Sequence, residues 1–240
     1  MNGLDKNPNY EMEKCILFTD IKKSSKLWAK FGDKMGAALD LHRENIEKAL
    51  EADHLIIKTI GDAYMISFDT IGSAISFACK MVYENIDVRT CKNIPREQFV
   101  SNDTINEEDI TTLQIRIGMC YGPVQKKDLY IQKNKLIDYF GETVNLASRM
   151  ESKVSKVGSF ALCLSKNTQS EDEVKQIIDI VIKNCCANGR DCKQIDLISY
   201  KMNCNLKDEF KRSGRMIKCE NVSNLNSGNR SILTYLISNK

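Results

Sequence analysis

Two short acidic segments carry the residue types best suited to chemistry. Phe18-Thr19-Asp20-Ile21-Lys22-Lys23-Ser24-Ser25 closes an apolar run on an aspartate, and Lys58-Thr59-Ile60-Gly61-Asp62-Ala63-Tyr64-Met65 sets a second aspartate at a Gly-Asp turn. Two carboxylates without a local histidine or thiol suit hard, oxygen-seeking cations, Mg²⁺ or Mn²⁺. After Asp20 the chain turns into a helix start that Ser24 and Ser25 can cap, and the free backbone amides of such a turn favour phosphate oxygens. Two cations beside a phosphate can activate an attacking hydroxyl and stabilise a leaving group. Singly, each segment is ordinary turn chemistry. Their co-occurrence with a third stretch, Asp138-Tyr139-Phe140-Gly141-Glu142-Thr143-Val144-Asn145-Leu146-Ala147-Ser148-Arg149, carries the functional reading.

The elements that must position these residues follow from apolar periodicity. Cys15-Ile16-Leu17-Phe18 reads as a buried strand, and residues 36–52 as an amphipathic helix, with His42 an ordinary helix-surface histidine. His54 to Ile60 and Ala63 to Phe68 read as strands joined by the Gly61-Asp62 turn, a pairing typical of tight hairpins. Residues 70–86 return to helical period. Residues 87–110 are polar and read as a surface insertion. Leu113 to Met119 alternates like a half-buried strand that Gly122-Pro123 should break, and residues 124–137 can hold a further hairpin or arm. Gly141 to Ser152 reads as a helix and Ser159 to Leu164 as a strand. Val174 to Ile182 is apolar without a clear period, and Ile195 to Tyr200 reads as a closing strand. The order strand, helix, hairpin, helix, strand predicts an α+β fold with a ferredoxin-like βαββαβ core. In such a sheet the first strand can lie beside the hairpin, so Asp20 and Asp62 can converge. The expected organisation is a flexible lead at 1–13, one catalytic domain at 14–200, and a polar tail at 201–240 that is unassigned despite one apolar stretch, Ile232 to Ile237.

Composition narrows the classes. A chain of 240 residues with 42% hydrophobic content can bury one ordinary core. Its 35 basic and 32 acidic residues leave a net charge of +3, a balanced surface rather than a nucleic-acid or membrane footprint. No apolar run reaches the ~18 residues needed to span a bilayer, and Met1 to Tyr10 lacks the apolar region of a signal peptide; a cytoplasmic location is expected. Ten cysteines invite a zinc or disulfide reading, but there is no C-x-x-C pair, and Cys185, Cys186 and Cys192 stand far from His42 and His54 in sequence. Reduced, mostly buried thiols are the expectation.

The three blocks, in this order and with this internal spacing, resemble the catalytic domain of class III adenylyl and guanylyl cyclases, in the form found in protozoan and fungal adenylyl cyclases. The resemblance covers roughly residues 14–165. It implies that Asp20, Asp62 and the Ile21 carbonyl bind two Mg²⁺ or Mn²⁺ ions per site. It implies that Lys58 and Asp138 read the purine edge, a donor and an acceptor that suit adenine where the guanylyl pattern has glutamate and cysteine. Asn145 would orient the ribose. Arg149, one helical turn later on the same face, would steady phosphate charge in the transition state with its rigid fork of donors. The implied reaction is attack of the ribose 3′-hydroxyl of ATP on its α-phosphate, giving cyclic AMP and pyrophosphate. In this family the metal aspartates come from one subunit and the base, ribose and arginine residues from the other. A chain carrying both halves implies a head-to-tail homodimer with two shared sites and a nearly inactive monomer.

One family lysine, which holds the triphosphate, has no clear place; Lys183, Arg190 and Lys193 are the candidates. A diguanylate cyclase needs a Gly-Gly-Asp/Glu-Glu-Phe hairpin, which Gly61-Asp62-Ala63-Tyr64 is not. Guanylyl or pyrimidine specificity runs against Lys58 and Asp138. A catalytically dead cyclase-like module that binds nucleotide and dimerises is the alternative from another class, although dead members usually lose a metal aspartate or the arginine.

Overall fold

The computed structural model describes residues 11–52, 54–131, 134–154, 159–164, 195–203 and 231–239, with single positions at 173, 176, 177 and 180. The core begins with strand β1 (Glu11–Ile21), helices α1 (Ser24–Phe31) and α2 (Asp33–Ala49), and the hairpin β2 (Leu55–Ile60) and β3 (Ala63–Phe68). Helix α3 (Ile71–Met81) follows, then short strands β4 (Asn85–Asp87) and β5 (Lys92–Asn93), and the long strand β6 (Thr112–Ile131). Strand β7 (Asn134–Phe140), helix α4 (Glu142–Lys153), β8 (Ser159–Leu164), β9 (Ile195–Asn203) and β10 (Ser231–Asn239) complete the described elements.

The sheet runs β2-β3-β1-β6-β8-β10-β9, with β7 paired to the far half of β6. Its first four strands are antiparallel neighbours and have the order of a ferredoxin-like core. Strand β1 lies between β3 and β6, with α1–α3 packed on one face of the sheet and α4 on the other, which is why Cys15-Ile16-Leu17-Phe18 is apolar on both faces. Alternation then divides the interior in two. Cys15, Leu17, Ile21, Ile66 and Phe68 join Leu27, Met35, Ile46 and Phe77 from the α1–α3 side. Ile16, Phe18, Met65 and Cys120 join Leu146, Ala147 and Met150 of α4 on the other side. Even-numbered positions of β1 therefore look toward α4.

Helix α2 buries Met35, Ala38, His42, Ile46 and Ala49 at three- and four-residue steps. His42 is thus not a surface histidine. It is fully buried, its Nδ1 meets the Glu84 carboxylate, and its ring lies edge-on to Tyr64 at 5.7 Å. Asn45 Nδ2 donates to the other Glu84 oxygen at 2.7 Å, tying α2 to the segment after α3. Helix α3 is capped by Thr70, whose hydroxyl accepts from the Ser73 amide at 3.1 Å.

One further expectation changes. Strand β6 does not stop at Gly122-Pro123 but runs on to Ile131, with Pro123 opposite Glu13 of β1. The Pro123 carbonyl accepts from the Thr143 hydroxyl at 2.7 Å, so that edge of the residue faces the start of α4. In a strand the amide and carbonyl of one residue share an edge, and the missing donor falls where no ladder needs it. The segment 87–110 contains β5 and two short 3₁₀ turns and is tied down: Asn102 is buried and bonded to Gln114 and Thr112 of β6. Lys22, Lys23 and Lys26 pair with its Asp103 and Glu107. The apolar stretch near the C-terminus supplies β10, which lies between β8 and β9. Most of Val174 to Ile182 lies outside the described residues. Cys15, Cys79, Cys120 and Cys163 are buried thiols, and burial pushes Cys15 and Cys120 up. Cys185, Cys186 and Cys192 lie outside the described residues.

Candidate active site

Asp20 occupies the end of β1 on the α4 face, since it follows Phe18 by two residues. Asp62 follows Gly61, which holds a left-handed φ of 64° in the β2–β3 turn and spares any side chain that strain. The β1–β3 register pairs Thr19 with Tyr64, so Asp20 and Asp62 emerge at the same end of adjacent strands. Ile21 is buried between them in sequence, and the Lys22 amide donates to the Gln114 carbonyl at 2.9 Å, keeping the turn against β6.

Register also determines what Asp20 meets. It lies opposite Arg116 of β6, and the guanidinium pairs with its carboxylate. The same Arg116 Nη2 stands 3.1 Å from Oε1 of Glu151, two residues beyond Arg149 on α4. This approach depends on Gly118. A Cβ there would sit 1.8 Å from the Glu151 backbone nitrogen, so only glycine lets α4 lie directly on β6. Burial raises the Glu151 carboxyl above its ordinary range, against the lowering by Arg116. Neither Arg116 nor Glu151 was singled out from sequence. The available signal was a lone charge within the alternating strand Leu113 to Met119.

Lys58 and Asp138 come together within one chain. Lys58 Nζ donates to both carboxylate oxygens of Asp138, at 2.9 and 2.7 Å. A bulge produces this meeting. Ile56 pairs with Ile66, but Lys58 pairs with Met65, so one extra residue is absorbed between them. Ile66 belongs to the core under α1–α3 and Met65 to the core under α4. The bulge therefore turns Lys58 onto the α4 face, where β7 delivers Asp138. Asp138 also accepts from the Tyr139 amide at 2.8 Å, and Phe140 lies 5.8 Å from the ammonium.

Asn145 and Arg149 are exposed on α4, one turn apart. Gly141, with φ 122°, precedes the helix. Among the described residues no hydrogen bond or ion pair joins Asp20 or Asp62 to Lys58 and Asp138. Lys183, Arg190 and Lys193 lie outside the described residues.

The donor set can be tested against a divalent cation. Among the described residues no three histidine, cysteine or acidic side chains gather as a ligand cluster. Two carboxylates and a backbone carbonyl would leave positions for phosphate and water, as Mg²⁺ requires. The Oδ2 atom of Asp62 is buried without a hydrogen-bond partner among the described residues. A buried bare carboxylate oxygen is costly unless something positive satisfies it. The residues fit a hard cation.

The sheet has the ferredoxin-like order, with Asp20 and Asp62 at the same end of β1 and β3 and the Lys58–Asp138 pair on its α4 face. The chain belongs to the adenylate and guanylate cyclase catalytic domain family, whose model matches residues 8–183, and it is a class III nucleotidyl cyclase domain. Adenylate cyclases of Lachancea kluyveri and Neurospora crassa are 32% and 34% identical to it; each alignment covers 57% of this chain and 7% and 6% of the relative. A receptor-type adenylate cyclase A of Leishmania donovani is 29% identical over 57% of this chain and 11% of its own length. The chain thus matches only a small part of these relatives. In fold it is similar to an adenylate cyclase of Trypanosoma brucei in its monomeric state, with a TM-score of 0.53, 17% identity and coverage of 97% of this chain and 93% of that one. It is also similar to the catalytic core of a rhodopsin-guanylyl cyclase with converted specificity, in complex with ATPαS, with a TM-score of 0.52, 18% identity and coverage of 96% and 97%. No described helix is long and apolar enough to cross a membrane.

Proposed function

We propose that this domain converts ATP to 3′,5′-cyclic AMP and pyrophosphate. The observation that carries the choice of ATP is the Lys58–Asp138 pair, with its ammonium 2.7 and 2.9 Å from the carboxylate oxygens. A fixed donor beside a fixed acceptor complements the adenine edge, which presents a ring-nitrogen acceptor next to an amino donor. Guanine offers the reverse pattern, a carbonyl and a ring N–H, and would set like groups against each other. Adenylate cyclase relatives in fungi and Leishmania support the same choice.

Asp20, Asp62 and the Ile21 carbonyl would hold two Mg²⁺ or Mn²⁺ ions. When bound, these lower the pKa of the attacking hydroxyl and stabilise the departing pyrophosphate. Backbone amides after Asp20 would receive phosphate oxygens. Asn145 would orient the ribose so that its 3′-hydroxyl faces the α-phosphate, and Arg149 would offer donors to the charge that develops there. Both are exposed on α4, free to meet a substrate held partly by another copy. We infer a head-to-tail homodimer in which the carboxylates of one chain and the Lys58, Asp138, Asn145 and Arg149 set of the other complete each site. The exposed Tyr130 and Leu136 of the β6–β7 hairpin and Ile60 beside the Asp62 turn are apolar surface such a partner could cover.

The test is cyclase activity with Mn²⁺ or Mg²⁺ on ATP, GTP, CTP and UTP separately, with Asp62→Ala as the blank. Cyclic AMP from ATP alone, abolished in the variant, is the expected result. Product from GTP or a pyrimidine would overturn the Lys58–Asp138 assignment, and no product at high protein concentration would favour a dimerising module without chemistry.

A further inference from the structure

Asp20, placed here as a metal ligand, is already engaged. Its carboxylate is paired with Arg116, directly opposite on β6. Arg116 in turn stands between two carboxylates, with Glu151 Oε1 at 3.1 Å on its other side. Glu151 is buried, and that oxygen makes no hydrogen bond among the described residues. The Nε of Arg116 is likewise buried without one. The group carries one positive and two negative charges, with the guanidinium in ion-pair range of both carboxylates.

We propose that Arg116 and Glu151 form an exchangeable counter-ion for Asp20. Arg116 neutralises Asp20 when no cation is bound, and Glu151 receives the guanidinium when a cation takes Asp20. The inference deepens the two-metal reading above and rests on it. The physical need is simple. A divalent cation on Asp20 repels a guanidinium held on the same carboxylate. A partly buried guanidinium cannot be left without an anion except at high cost. Glu151 supplies that anion within reach, and the five donors of arginine let it change partners by side-chain rotation alone. Gly118 is what permits the arrangement, because it brings the α4 backbone onto β6 at Glu151. Arg116 and Glu151 are positioning residues; neither is placed on substrate. Glu151 shares its helix with Asn145 and Arg149, so the exchange also joins the metal carboxylate to the element that carries them.

A plain structural salt bridge would pin α4 to β6 and be indifferent to metal. The two ideas separate in a Mn²⁺ titration of the full chain, followed by the electron paramagnetic resonance of the free ion, with thermal melts of each variant. Four proteins beside the wild type are compared: Asp62→Asn, Glu151→Gln, Arg116→Gln and the Arg116→Gln/Glu151→Gln double variant. Glu151→Gln should weaken Mn²⁺ binding about tenfold, as expected for loss of a group that supports a metal ligand. Arg116→Gln should bind Mn²⁺ at least as tightly as wild type, and adding Glu151→Gln to it should change nothing further. Equal binding by wild type and Glu151→Gln, with Asp62→Asn weakened, overturns the exchange and leaves the metal site standing. An equal loss from Glu151→Gln in both backgrounds also overturns it, because Glu151 would then act without Arg116. Asp62→Asn binding as well as wild type removes the metal-site reading itself. Should Arg116→Gln not fold, Arg116→Met, which keeps the apolar length of the side chain, replaces it in both the single and the double variant.

Discussion

In the proposed function the Lys58–Asp138 ion pair serves as the reading head for the base. The carboxylate is mostly buried while the ammonium keeps 38% of its side-chain surface, so the pair is held from below and open from above. Truncating Asp138 to alanine removes the acceptor and leaves Lys58 half-buried without its anion. A hydrogen bond to a charged group is worth ~1.5–3 kcal/mol. Asp138→Ala should therefore lower kcat/KM for ATP by roughly ten- to a hundredfold and narrow the preference over GTP. Steady-state kinetics with both nucleotides checks this; an unchanged ATP-to-GTP ratio would remove Asp138 from base recognition. Thr19 works at the same scale, for its hydroxyl accepts from the Tyr64 amide at 3.3 Å beside the Asp20 end of the sheet.

Among the elements, α4 decides the most. It closes the second core with Leu146, Ala147 and Met150, carries Asn145 and Arg149, and sets Glu151 on Arg116. All of this rests on contact with β6 at Gly118. A methyl group there overlaps the helix backbone, so Gly118→Ala must push α4 outward. Overpacking of this kind costs about 1–3 kcal/mol, and a backbone neighbour cannot rotate away. Urea denaturation should show a loss of that size, with cyclase activity falling further than stability does. Gly36 in α2 is the control, since a Cβ there meets nothing within 4 Å. Gly36→Ala should stabilise by roughly 0.5–1 kcal/mol and leave activity as it was.

At the scale of the whole molecule, each chain holds one set of carboxylates and one base-reading pair, with no described bond between them. The proposed head-to-tail dimer would bring the carboxylates of one copy to the Lys58–Asp138 pair of the other. Specific activity should fall as the protein is diluted through the dimer dissociation constant, in step with dimer loss measured by analytical ultracentrifugation. Mixing Asp62→Ala with Arg149→Ala chains, each nearly inactive alone, should restore part of the activity, because one of the two sites in the mixed dimer is intact. Constant activity on dilution would sink the shared-site arrangement.

The sequence by itself determined the elements and the residue types at their ends. Period-two and period-3.6 patterns are local, so β1, the β2–β3 hairpin, α3, α4 and β8 could be read from a few neighbours each, and with them the placement of Asp20 and Asp62 at strand ends, whereas Asp138, Asn145 and Arg149 were marked by the resemblance to the cyclase family. Only the tertiary structure decided which side chains face one another. The bulge that turns Lys58 toward Asp138 has no composition of its own and shows only in the pairing of Ile56 with Ile66 and Lys58 with Met65. Arg116 and Glu151 meet Asp20 through a strand register and a helix contact between residues far apart in the chain. His42 is buried because Glu84, beyond the next hairpin and helix, supplies its partner. Pro123 stays within β6 because its bare edge looks at α4 rather than at another strand. Short-range preference writes elements, whereas packing between distant segments writes their register, and the candidate site is built from register.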